Sequence, residues 1–226
     1  MFNDQVTFRR VSAGILLIIA PLLQAVAVVV DPGTWGDERE AVSFGDNPVL
    51  AQTQSVLYHW SWMLMAVAAF GLVHLTRRRA VRLGHVAGAS TVIGYLSLSG
   101  LLLSDPVEWW LGQHHSPEEA QRILDEMLGL PGVTFGFQMP WMFLGFLGLP
   151  VLIAAVWRAG FVGWWAPALV AGGYVGSFAV SYGPLTAVFW TVPVIALGWI
   201  GVKMLRMGDE AWAAYYPSAV PARVMA

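Results

Sequence analysis

The residues best suited to chemistry lie in one stretch, Ser104-Asp105-Pro106-Val107-Glu108-Trp109-Trp110. It sets two carboxylates one helical turn apart, beside two tryptophans, where an apolar segment ends. A carboxylic acid in an apolar site has a raised pKa and stays protonated at neutral pH. It can then act as a general acid. Aromatic faces stabilise a cation through their quadrupoles, and exclusion of water strengthens the effect. Acids among aromatics therefore suit a reaction that begins with protonation of an alkene or epoxide and passes through a carbocation.

Further polar and aromatic residues fall at the same depth along the other apolar segments. The candidate proton donors are Asp105 and Glu108, with Asp46 as a third acid. His59 or Gln138 would orient the acid or accept the final proton. Trp62, Trp109, Trp141, Tyr182, Phe189 and Trp190 would line the path of the cation. Polar groups within lipid are costly and usually face protein or a cavity, so this shared depth predicts a pocket between helices. The same residues have structural uses. Trp109 and Trp110 fit an interfacial aromatic belt. Asp105 fits a cap for a short helix after Pro106, and His59 fits a hydrogen-bonded packing residue.

Several chemistries are excluded. The chain has no cysteine, so it has no disulfide, thiolate nucleophile or thiolate-bound metal. It has no Walker loop, zinc-type His-Glu spacing, nucleophile elbow or DDxxD-type motif for magnesium-diphosphate chemistry. Its basic residues sit in short clusters at span ends, which gives nothing for nucleic acid. His114 and His115 lack further metal ligands, so no metal is expected. His74 and His85 could share a depth, as a bis-histidine haem requires. The rest of such a pattern is thin, and no cofactor is expected.

The elements that must position these groups are membrane helices. Of 226 residues, 57% are hydrophobic and 12% charged, against about 25% charged in an ordinary soluble domain. The apolar runs approach the roughly 20 residues needed to cross a bilayer core. The expected fold is all-α: a polytopic membrane helical bundle of about six transmembrane helices, forming a single domain over 1–226. The spans fall near 9–30, 48–76, 83–104, 133–157, 163–182 and 185–206. The run after Arg9-Arg10 is longer than a typical signal core and reads as a retained first helix. Gly172 and Gly176 have a spacing that lets helices approach closely.

Ser116-Pro117-Glu118-Glu119 carries an N-cap, a first-turn proline and a capping-box glutamate. Apolar residues follow at Ala120, Ile123, Leu124, Met127 and Leu128, on one helical face. This predicts an amphipathic helix over about 116–128 at the outer interface, a lid over the bundle. Arg9, Arg10, Arg77 to Arg79, Arg82, Arg158, Lys203 and Arg206 all fall at one side of the spans. That bias places both termini in the cytoplasm and the acidic loops outside, in a multi-pass protein of the cell membrane.

The small size, multi-helix layout, aromatic richness and acids near helix ends resemble the compact membrane-bound terpene cyclases of bacterial and fungal natural-product pathways. The bacterial drimane-forming kind is the nearest. The resemblance is one of architecture. It implies a metal-independent, protonation-initiated cyclisation of a lipid-soluble prenylated substrate, and it assigns no catalytic positions. The alternative is a non-catalytic membrane protein that binds a lipid or quinone or stabilises a partner. The oligomeric state is not readable from the sequence.

Overall fold

A computed structural model describes residues 4–35, 44–180 and 183–215, and every regular element among them is helical. In chain order these are α1 (Gln5–Val30), the single turn α2 (Pro32–Trp35), α3 (Pro48–Thr76), α4 (Val81–Leu101), α5 (Ser104–His114) and α6 (Pro117–Leu128). Then come α7 (Pro131–Arg158), α8 (Trp165–Ala179), α9 (Pro184–Thr191), α10 (Pro193–Arg206) and α11 (Asp209–Ala213).

Five segments are long and apolar enough to cross a membrane: α1, α3, α4 continued by α5, α7, and α9 with α10. The span expected over 163–182 is the 15-residue α8. At 1.5 Å per residue it is roughly 22 Å long, shorter than a ~30 Å hydrocarbon core. The helices close into a ring. Helix α1 packs between α3 and α10, α3 on α4, α4 on α7, α7 on α8, and α8 on α9 and α10. Leu17, Leu72, Leu149, Ile153, Val170 and Ile200 fill its centre and are fully buried.

Small residues set how closely these helices approach, since lipid tails give apolar side chains no reason to leave them. A Cβ on Gly94 would lie 2.0 Å from the Cα of Gly145, so α4 and α7 touch backbone to backbone. On α8 the packing pair is not the expected Gly172 and Gly176. Gly172 has nothing near it, whereas Gly173 and Gly176 receive Pro193 and the Phe189 ring.

Helix α7 begins irregularly. Pro140 has no N–H to give the preceding turn, and the backbone answers with π-helical stretches at Thr134–Gln138 and Pro140–Gly145. Met139 N donates to Thr134 O and Phe146 N to Trp141 O, both five residues back. Such widened turns recur at functional sites.

The amphipathic helix is present as α6. The Ser116 hydroxyl accepts from Glu119 N at 3.3 Å, and Pro117 takes the first helical position. Ala120 and Leu124 are buried against Leu111 of α5, while Glu118, Glu119, Arg122, Asp125 and Glu126 face outward. Its seat is therefore α5, and its C-terminal end reaches the mouth of the ring.

Candidate functional site

The ring opens at the α5 end into a cavity of about 370 Å³. Helix α3 supplies one wall through Gln54, Tyr58 and Trp62. Their four-residue spacing puts them on one helical face. Tyr58 and Trp62 stack with centroids 5.0 Å apart. Helix α5 supplies Asp105 and Glu108, one turn apart on its own face. Helix α7 adds Gln138 and Trp141, α9 adds Trp190, and Leu128 at the end of α6 closes one side. The Gln138 amide donates to the Leu128 carbonyl at 3.2 Å, which ties that closure to the π-helical stretch.

The cavity also holds a third acid, Asp31, at the end of α1. Its Oδ1 accepts from Gly33 N at 2.9 Å. This is the geometry of a helix cap, with Pro32 in the first position of α2. Its Oδ2 faces the Tyr58 hydroxyl at 3.4 Å. Burial pushes the Asp31 carboxyl up to about 6, and the charge of Asp105 adds to the effect.

The two acids of α5 are held differently. Asp105 Oδ2 accepts from the Gln54 amide at 3.0 Å and from the Ser55 hydroxyl. It serves α3 rather than capping α5, whose N-terminus has no side-chain cap. Glu108 is 5% exposed, and its Oε2 has no hydrogen-bond partner among the described residues. The indole N–H of Trp62 is likewise buried and unpartnered. Among the described residues no Lys, Arg or His lines this cavity. Three carboxylates thus share a largely apolar space, with no neutralising cation among the described residues. No group of three metal-ligating side chains able to hold an ion occurs among the described residues.

Below the cavity the hydroxyls of Tyr95 and Tyr174 are hydrogen-bonded to each other, fully enclosed between α4 and α8. Trp141 meets the Tyr95 ring edge-on at 5.8 Å, and Trp190 lies 5.9 Å from Tyr174. The pair thus lies behind Trp141 and Trp190, which line the cavity.

Six of the sequence-derived site residues meet here: Asp105, Glu108, Trp62, Gln138, Trp141 and Trp190. Four are placed elsewhere. His59 follows Tyr58 by one position, so it turns about 100° off the inward face; it is exposed and its Nδ1 bonds Ser99 Oγ at 2.8 Å. Asp46 is exposed, while Phe44, two residues before it, is the buried residue that enters the cavity wall. Trp109 is half-buried beside Glu108 but outside the wall, and Phe189 lies on Gly176 of α8. Tyr182 lies outside the described residues. Asp31, Gln54 and Ser55 were not singled out from sequence. The Gln54–Tyr58–Trp62 stripe was the available signal for the second of them.

Comparison of the chain with known protein families, curated proteins and solved structures found no match.

Proposed function

We propose that the protein is a membrane-bound terpene cyclase, with Glu108 as the proton donor to a prenylated small molecule. The observation that carries this reading is the buried Glu108 carboxyl, its Oε2 without a partner among the described residues, in a wall it shares with Trp62, Trp141 and Trp190. The Glu108 proton passes to one alkene carbon. The alkene electron pair forms the new C–H bond and leaves a tertiary cation on the other carbon. A second alkene of the same substrate attacks that cation and closes a ring. Loss of a proton from the adjacent carbon to the carboxylate makes the product alkene and restores the acid. The net reaction is an isomerisation.

Asp105 has a separate role in this reading. Its hydrogen bonds from Gln54 and Ser55 hold it as an acceptor, so it steadies positive charge rather than donating a proton. The tryptophan faces do the same along the ring-closing path. The chain crosses the membrane several times with both termini in the cytoplasm, and the cavity then opens at the outer leaflet.

The experiment is turnover of prenylated aromatic compounds by reconstituted protein in D2O. Protonation by the enzyme leaves one non-exchangeable deuterium in the cyclic product. Glu108→Gln should lower turnover at least about 100-fold, the usual contribution of a general acid, while Asp105→Asn keeps the larger share. Full activity of Glu108→Gln, or a product without deuterium, would sink the proposal.

A second reading rests on the absence of a lining cation among the described residues. Aromatic faces and carboxylates also hold an organic ammonium ion. That reading predicts saturable amine binding and no isoprenoid among the lipids that co-purify with the protein.

A further inference from the structure

A second cavity, of about 750 Å³, lies at the opposite end of the ring, between α1, α3 and α4. Its long walls are apolar, with Leu16 from α1, Val67 and Phe70 from α3, and Val92 and Ile93 from α4. Small residues line it, among them Ser12, Gly71, Gly88 and Ala89. Its polar lining gathers at one end, where Arg9 of α1, Arg77 just past α3 and His85 of α4 meet. Beside them stands Trp212 of α11, 2% exposed and stacked on His74 at 4.0 Å. Its indole N–H is buried with no acceptor among the described residues.

The dimensions identify an occupant. Arg77, at the end of α3, lies ten positions from Val67, and His85 lies eight positions from Ile93 on α4. At 1.5 Å per residue the apolar groove runs roughly 12–15 Å from its cationic end. That is about half of a ~30 Å hydrocarbon core, the depth of one leaflet. A groove one leaflet deep with cations at the headgroup level is complementary to a lipid with an anionic phosphate head.

We infer that this groove is a binding site for an anionic phospholipid, with its phosphate at Arg9, Arg77 and His85 and an acyl chain along Phe70 and Val92. The site is separate from the carboxylate cavity and does not depend on its chemistry. A headgroup oxygen would also supply the acceptor that the Trp212 indole lacks among the described residues.

The test is native mass spectrometry of the full chain in mild detergent, titrated with phosphatidylglycerol or phosphatidylcholine of matched chains. Phosphatidylglycerol should be retained at least about tenfold better. A basic residue near an anionic lipid is worth about 1 kcal/mol, so Arg9→Gln and Arg77→Gln should each weaken it about fivefold. Arg77→Lys should keep most of the binding. Ala89→Phe fills the groove with every charge intact and should abolish retention. Far-UV circular dichroism and gel filtration check that each variant folds, and Ala89→Phe carries the test where an arginine variant does not. Equal retention of the two lipids, or unchanged retention in Ala89→Phe, overturns the inference. So does displacement of the lipid by millimolar inorganic phosphate alone, which would show that the acyl chain contributes nothing.

Discussion

Asp31 shows how one side chain couples the cavity to stability. Its carboxyl sits at about 6 in the folded chain, against an ordinary 3.8, because burial removes it from water. Between about pH 4 and 6 the folded protein therefore holds more protons than the unfolded chain. Stability is highest below that window, falls as pH rises through it, and levels off above. The effect is on the order of 3 kcal/mol. Asp31→Asn keeps the acceptor for Gly33 N and removes the titration. Thermal unfolding in detergent should show a higher midpoint for this variant at pH 7.5 and a flatter profile between pH 4 and 7. A lower midpoint at pH 7.5 would mean that Asp31 contributes as an anion, contrary to its surroundings. Asp105 and Glu108 were legible because they are neighbours in sequence on one helical turn. Asp31 joins them only through the folding of α1 against α3, across a separation that no local pattern reports. His59 was misplaced for the opposite reason. Its depth was readable, but its angle about the helix axis depended on which residues of α3 turn inward.

Helix α6 was the most legible element, since its cap, first-turn proline and apolar stripe agree. Its hold on the molecule is narrow, resting on Ala120 and Leu124 against Leu111 with flanking contacts. Ser116→Ala removes the acceptor for Glu119 N and should cost about 1 kcal/mol. Hydrogen exchange read by mass spectrometry should then quicken about fivefold across 117–128, with the ring helices unchanged. Equal quickening in α3 and α4 would show that α6 is part of the ring's own cooperative unit. Helix α7 was legible in extent but not in form. Pro140 marks an interruption, whereas no local pattern gives the π-helical form of the turns around it. The glycines of α8 make the same point: spacing picked Gly172, while the position of α9 and α10 decided that Gly173 and Gly176 face protein.

At the scale of the whole molecule, hydropathy made the bundle legible, and a count of charges suggested its orientation. The absence of cysteine makes that orientation directly testable. Gln113→Cys lies beside the carboxylate cavity, and Arg78→Cys lies at the lipid-groove end; both positions are exposed. In intact cells a membrane-impermeant maleimide should label Gln113→Cys, and should label Arg78→Cys only after permeabilisation. The reverse pattern would invert the topology and place the carboxylate cavity in the cytoplasm. The two cavities could not be read from sequence, because each is a space left between helices rather than a property of any one. Between them lies the filled centre of the ring, where Leu72, Leu149 and Ile153 are fully buried beneath the Tyr95–Tyr174 pair. In an energised membrane that waist acts as an electrical insulator. In the proposed reaction Glu108 exchanges its proton from one side of this waist only, so turnover would leave a proton gradient across the membrane intact.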